Sequence, residues 1–141
     1  MKKTIFLSVF LIIAIITNAQ FGYKNQLETN KGINVSYKVV HEKKSKKDSP
    51  AQIRIKLKNT NDYPVIIRFK IEYSTGFTTR YSSEGIEICI PKKSVKAGKL
   101  HGLVFELKTN DIEIFTKDNA EWEFTMFEVT KTENCKSDNN K

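Results

Sequence analysis

Apolar and polar residues alternate along much of this chain, with the period of two that is typical of a half-buried β-strand. The alternation is strict from Ile33 to Val39, and it returns from Ile53 to Leu57 and from Val65 to Tyr73. In each segment every second side chain is large and apolar. One face of each predicted strand must therefore be buried, which commits the chain to packed sheets.

A dense cluster of turn-forming residues separates the second and third of these strands. It runs from Asn59 to Pro64 and reads NTNDYP. Such a cluster between two alternating segments is typical of a chain reversal. We therefore predict that the strands around Ile53–Leu57 and Val65–Tyr73 form an antiparallel pair.

Shorter alternating segments follow, and the last of them changes phase. Trp122, Phe124 and Met126 share one face, whereas Phe127 and Val129 fall on the other. An inserted residue flips the parity of a strand, so this change predicts a β-bulge. With seven or eight short strands and no helical window after residue 19, the sequence predicts an all-β antiparallel sandwich.

Three segments of the chain resemble small secreted immunoglobulin-like or fibronectin-type-III-like domains of the Bacteroidetes. They are the sequence Asn18-Ala19-Gln20, the block IRIKLKNTNDYPVIIRFKIEY from Ile53 to Tyr73, and the closing EWEFTMFEVT from Glu121 to Thr130. The resemblance implies a single immunoglobulin-like sandwich. It implies no function, because such folds carry many unrelated ones.

The N-terminus has the pattern of an export signal. Lys2 and Lys3 precede an apolar run from Ile5 to Ile16, and a small, polar exit ends at Ala19. A membrane anchor is the alternative, but a spanning helix needs about 20 apolar residues and this run is shorter. We expect cleavage after Ala19, a periplasmic or extracellular protein, and no membrane span in the mature chain.

This interpretation divides the chain into four parts. Residues 1–19 are the signal peptide, 20–32 a polar linker or N-terminal arm, 33–135 the sandwich, and 136–141 a disordered tail. A sandwich of that length can bury a sizeable core without a metal.

The chain has two cysteines, Cys89 and Cys135. In an exported protein a pair of cysteines favours a disulfide, and no metal-binding or redox spacing is present. Cys89 is out of phase with the isoleucines around it, so it should point away from the core. The predicted bridge would fasten the segment after the last strand to the outside of an earlier one; two free thiols are the alternative.

Lysines crowd two predicted loops, and the formal net charge is +8. Such a surplus favours acidic partners such as anionic polysaccharide, lipid headgroups or an acidic protein, and export argues against nucleic acid. If both loops lie at one end of the sandwich, they form one anion-binding patch; solvated lysines that keep the protein soluble are the alternative. The lysines concerned are Lys43, Lys44, Lys46 and Lys47 in the first loop, and Lys92, Lys93, Lys96 and Lys99 in the second.

One polar segment also carries several rings. Tyr73, Phe77, Arg80 and Tyr81 lie among hydroxyl side chains, a composition that could hold a glycan or a peptide. The alternative is that these rings, with Trp122, complete the core. The solvent exposure of the rings distinguishes these two interpretations, since a glycan-binding surface needs at least two exposed rings.

Catalytic patterns are weak. His41 and His101 lack a third ligand at metal spacing, and Glu121 and Glu123 flank a predicted buried ring, as carboxylates do on any solvated strand. We therefore expect no catalytic residue, metal or cofactor. The sequence favours an exported, non-catalytic binding or accessory module that acts by protein–protein contacts at the cell envelope; a carbohydrate-binding module is the alternative.

Overall fold

The computed structural model describes residues 22–23, 25–75, 78–107, 109–113 and 120–135. The described chain forms nine strands and one short 3₁₀ helix, Lys99–His101. The strands are β1 (Asn25–Asn30), β2 (Ile33–His41), β3 (Ala51–Asn59), β4 (Val65–Thr75), β5 (Thr78–Ser82), β6 (Ile86–Ile90), β7 (Val95–Ala97), β8 (Val104–Leu107) and β9 (Ala120–Lys131).

The first sheet, sheet I, has the order β1-β2-β3, with β7 and β8 both on the far side of β3. β7 pairs with the C-terminal part of β3 and β8 with its N-terminal part, and all pairs are antiparallel. β7 and β8 therefore form one interrupted edge strand.

The second sheet, sheet II, is built around β4. β9 pairs along one side of β4, while β6 and β5 pair with the first and second halves of its other side. β5 and β6 thus form a second interrupted edge strand, so each sheet has one continuous and one broken edge.

The inner faces of the two sheets pack into one core, which confirms the predicted all-β sandwich. Inward side chains such as Ile55 of β3 and Ile67 of β4 are fully buried, as the alternation requires. Each of these two central strands pairs with a later strand of its own sheet, β3 with β7–β8 and β4 with β9. Strands B and C of immunoglobulin sandwiches pair with strands E and F in the same way.

The predicted antiparallel pair of β3 and β4 is wrong, because the two strands lie in opposite sheets. The turn cluster from Asn59 to Pro64 carries the chain across the sandwich. Asn59 is fully buried at the crossing, and its side-chain amide donates hydrogen bonds to the carbonyls of Tyr63, Ile90 and Pro91 at 2.9, 3.3 and 3.1 Å. These bonds hold the crossing segment against the end of β6.

The polar segment expected to be a linker or N-terminal arm contributes the edge strand β1. A two-residue turn joins β1 to β2, with positive φ angles of 46° at Lys31 and 76° at Gly32. Two successive positive φ angles suit the right-handed twist of a hairpin. A hydrogen bond also joins this turn to the segment from Asn59 to Pro64, since the Thr60 hydroxyl donates to the Gly32 carbonyl at 2.7 Å.

The predicted bulge in β9 is confirmed. Arg68 and Lys70 of β4 face Glu128 and Thr125, so two residues of β9, Met126 and Phe127, oppose one residue of β4. Met126 has a φ of 55° and is 68% exposed. The extra residue returns Phe127 to the core side.

Several expectations lie outside the described residues. They are the signal peptide at 1–19, the start of the arm at Gln20 and the tail at 136–141. Within the described residues, no helix has the length and apolar character needed to cross a membrane.

Candidate functional site

The interruption between β7 and β8 is a short loop, residues 98–103, that leaves and rejoins the sheet at one residue. The Gly98 N–H donates to the Ile55 carbonyl and the Ile55 N–H donates to the Leu103 carbonyl, each at 3.0 Å. The edge of sheet I is therefore continuous on either side of the loop. The residues between project away from the sheet.

Internal hydrogen bonds fix the shape of the 98–103 loop. The Gly98 carbonyl accepts from the N–H groups of His101 and Leu103 at 3.2 and 3.0 Å, and the Ala97 N–H donates to His101 Nδ1 at 3.0 Å. Gly98 and Gly102 have φ angles of 56° and 69°, in the region that favours glycine. The loop presents Leu100 with 88% of its surface exposed.

Leu100 borders a groove of about 600 Å³ between the two sheet edges, which we call the edge groove. Its walls combine apolar side chains of sheet II with polar residues from the 98–103 loop and from the segment after β9. The edge groove is lined by Ile66, Ile86, Glu87, Ile88, Cys89, Lys96, Leu100, His101, Thr132 and Asn134.

The strand β6 forms the floor of the edge groove. In the described chain β6 pairs only with β4, so its other side carries backbone N–H and C=O groups that no strand covers. The lining includes Ile88 from the inner face of β6 and Glu87 from its outer face. The groove thus follows the open edge of the strand.

The disulfide predicted between Cys89 and Cys135 is confirmed, with a Cα–Cα distance of 5.5 Å. Cys89 lies opposite Ile66 on the outer side of sheet II, as its phase predicts. After β9 the Thr132 N–H donates to the Pro64 carbonyl at 3.1 Å, and the chain then crosses the outside of β4 to reach β6. This segment after β9 supplies Thr132 and Asn134 to the wall of the edge groove.

The edge groove carries a positive charge that no neighbouring carboxylate of the described chain balances. Glu87 is paired with Arg68, whereas Lys96 makes no ion pair within the described residues. Lys96 lies opposite the buried Leu57, so it points toward the space between the sheets. The groove therefore offers apolar surface, an open strand edge and an unpaired cation.

Lys92 and Lys93 do not form one patch with the lysines of the first loop. Lys43, Lys44, Lys46 and Lys47 lie in the β2–β3 loop beside Ala51, at the start of β3. The Lys93 N–H donates to Asn61 beyond the far end of β3, and its ammonium lies 3.1 Å from Asp62. The nine-residue strand β3, about 27 Å long, separates Lys92 and Lys93 from the first loop.

Most of the rings considered for glycan binding are buried or partly buried in the core. Tyr73 is 2% exposed and stacks against Trp122 with ring centroids 4.8 Å apart. Tyr81 and Trp122 are partly buried against the same core. The Tyr73 ring therefore cannot lie under a sugar; Phe77 and the side chain of Arg80 lie outside what the structure describes.

The histidines have local structural contacts. His41 Nδ1 is 3.0 Å from the Ser49 carbonyl and closes the β2–β3 loop, while His101 closes the 98–103 loop. Glu121 and Glu123 are exposed on the outer side of β9. In the described part of the chain, no three histidine, cysteine or carboxylate residues converge as metal ligands.

Comparisons of this chain with protein-family models, curated proteins and solved structures found no match. The edge groove is the surface on which exposed apolar area, open backbone groups and charge meet.

Sequence reasoning missed Leu100. The residue stands in Gly-Lys-Leu-His-Gly, where a lone leucine among polar residues has no periodicity. Its two flanking glycines, Gly98 and Gly102, are the signal that could have indicated a projecting loop, because both adopt positive φ angles.

Proposed function

We propose that this protein is an exported, non-catalytic binding module that engages another protein at the cell envelope through the edge groove. The observation that carries the proposal is Leu100, 88% exposed at the tip of a hydrogen-bonded loop beside an open strand edge. Burial of a large apolar side chain that is exposed in the free protein stabilises a complex by about 1.5 to 3 kcal/mol. Because the loop is already ordered, little conformational entropy is lost on binding.

The chemistry of the edge groove suggests the kind of segment that fits it. An extended peptide can add to an open strand such as β6 through main-chain hydrogen bonds. An apolar side chain of that peptide would contact Leu100 and Ile86, and an acidic one would reach Lys96. We therefore propose an extended segment of a partner protein that carries both apolar and acidic residues.

Two features support the export part of the proposal. The first is the pattern of residues 1–19, and the second is the disulfide between Cys89 and Cys135, since such bonds persist in oxidising compartments. The alternative carbohydrate-binding site at Tyr73–Tyr81 has less support because the Tyr73 ring is buried.

The test is capture of envelope proteins by three forms of the protein: wild type, Leu100→Asp and Met126→Asp. Met126 is the matched control because it is also an exposed apolar residue; it lies in the bulge of β9 and shares a neighbouring pocket with Ile86 and Glu87, but it is not among the residues that line the edge groove. We expect one partner bound by wild type and Met126→Asp, with about thirtyfold weaker binding by Leu100→Asp. The partner should also lose binding when its own extended segment is deleted.

Equal capture by all three forms, or no specific capture by wild type, would refute the proposal. Thermal unfolding by circular dichroism checks that both variants fold. Leu100 is almost fully exposed, so its replacement should leave the unfolding midpoint nearly unchanged.

A further inference from the structure

The outward charges of the sandwich are segregated by sheet. Among the side chains that the structure describes, the outer side of sheet I carries four cations on β2 and β3 and one carboxylate, Glu106, on β8. Counted in the same way, the outer side of sheet II carries five carboxylates and two cations, Arg68 and Lys70. The four cations, which we call the basic face, are Lys38, Arg54, Lys56 and Lys58; the five carboxylates are Glu72, Glu87, Glu121, Glu123 and Glu128.

The register brings two of the cations directly together. Lys38 of β2 is the cross-strand partner of Arg54 of β3. Like charges directly opposite each other destabilise a sheet. Burial lowers the pKa of Lys38, and the positive charges of Arg54 and Lys44 lower it further. The basic face thus concentrates positive charge at a cost to the fold, a cost that a bound polyanion would remove.

Tyr23 lies across the same face. The Lys38 ammonium is 4.5 Å from the centre of the Tyr23 ring, and a Cβ at Gly98 would lie 3.0 Å from the Tyr23 hydroxyl. The side chain therefore reaches from β2 over β3 to the start of the 98–103 loop. It places an aromatic ring and a hydroxyl among the cations.

The cations on β3 lie in a line. Arg54, Lys56 and Lys58 alternate with buried residues, so their Cα atoms are about 7 Å apart and together span about 13 Å. A row of charges spaced regularly along one strand fits a linear polymer with repeating negative charges. A membrane surface would favour inserted apolar side chains, and Val95 is the one exposed large apolar residue of the described chain that borders this face.

We propose that the basic face binds a linear anionic polysaccharide, laid along β3 beside Tyr23. This site is separate from the edge groove and is also distinct from the lysine loops indicated by the sequence. The segregation of charge would orient the protein on the polymer, with the carboxylates of sheet II facing away.

The test measures binding of heparin oligosaccharides, used as a linear sulfated probe, to the disulfide-bonded protein and two variants. The Lys56→Gln/Lys58→Gln variant removes two charges from the basic face. The Lys43→Gln/Lys47→Gln variant removes two exposed charges from the β2–β3 loop and is the matched control for net charge. We expect the first variant to bind about tenfold more weakly than wild type, and the control less than threefold more weakly.

Binding should weaken steeply as salt rises from 50 to 300 mM, since exposed charges are screened over about 10 Å at 0.1 M. Equal losses in the two variants would mean that only net charge matters and would overturn the proposal. So would binding that salt does not weaken, absence of heparin binding, or preferential binding to vesicles of anionic phospholipid. Both variants leave Leu100 intact, so failure here is distinguishable from failure of the edge-groove proposal.

Discussion

Asn59 and Ile90 end strands in opposite sheets, and a hydrogen bond joins them directly. The Asn59 side-chain amide donates to the Ile90 carbonyl at 3.3 Å in a fully buried position. The same amide donates to Tyr63 and Pro91, and its oxygen accepts from the Asn61 N–H at 2.9 Å. One side chain therefore fixes both the crossing between the sheets and the end of β6, which is the floor of the edge groove.

We predict that Asn59→Ala lowers the free energy of unfolding by about 2 to 4 kcal/mol. The replacement removes the Asn59 donor from the carbonyls of Tyr63 and Ile90, whereas the Pro91 carbonyl keeps the Ser94 hydroxyl as a donor at 2.9 Å. Each buried group left unsatisfied costs about 1 to 3 kcal/mol. Urea denaturation measures the loss. The control is Asn61→Ala, whose amide donates to Lys31 at an exposed site and should contribute less than about 1 kcal/mol; similar losses in the two variants would contradict the prediction.

Removal of the disulfide should cost stability but not the fold. The bridge joins residues 46 apart in sequence, for which the chain-entropy model gives about 4 kcal/mol. We expect the Cys89→Ser/Cys135→Ser variant to lose about that amount in urea denaturation. Reducing agent should lower wild type to the same level and leave the variant unchanged, whereas two alkylatable thiols in the native protein would show that no bridge exists.

Deletion of Met126 should be tolerated. Without this residue, Trp122, Phe124, Phe127 and Val129 would alternate regularly, so the core-facing residues keep their places opposite β4. The left-handed conformation of Met126, which costs about 1 to 2 kcal/mol, would also disappear. We expect a folded protein with a thermal midpoint within a few degrees of wild type.

The control for this deletion is removal of Glu123, at a regular position of the same strand. That change moves Trp122 to the outer side of the sheet and should cost about 3 kcal/mol or more. A Met126 deletion that unfolds as readily as the Glu123 deletion would show that the bulge is required for folding.

Alkaline pH should destabilise the protein. Burial raises the pKa of Tyr37 and Tyr81 above their usual value of about 10. Above that pH the unfolded chain ionises first, so the folded state binds more protons and the free energy of unfolding falls with rising pH. The lowered pKa of Lys38 has the opposite effect. Below about pH 10.5 the unfolded state holds this proton more tightly than the folded state, so the contribution of Lys38 to the free energy of unfolding rises with pH.

Urea denaturation between pH 9 and 11 measures this effect, and Tyr37→Phe provides the comparison. We expect a shallower fall above pH 10 in the variant, because one of the shifted phenols is gone. An identical pH dependence in the two proteins would exclude a contribution from Tyr37.

The alternation predicted the positions of β2, β3 and β4 well, because burial of one strand face is a local property of the sequence. It did not predict which strands are neighbours. The segment from Asn59 to Pro64 has the composition of a hairpin turn, and only the burial of Asn59 against the end of β6 distinguishes a crossing between sheets. That contact joins residues 31 positions apart, so no local pattern contains it.

The same limit applies to the candidate sites. Arg54, Lys56 and Lys58 are visibly outward in the sequence, but Lys38 joins them only through the register of β2 with β3. The edge groove is assembled from β4, β6, β7 and the segments after β7 and β9, which are distant in sequence. The bridge between Cys89 and Cys135 was predictable because a chain with two cysteines has only one possible intramolecular pairing.

The 98–103 loop begins and ends on hydrogen bonds to one residue, Ile55. Residues inserted between Gly98 and Leu103 would therefore leave the register of β7 and β8 with β3 unchanged, and lengthening a surface loop costs little entropy. The loop is thus a place where chain length can change while the sandwich stays constant. That position is therefore suited to grafting a foreign peptide.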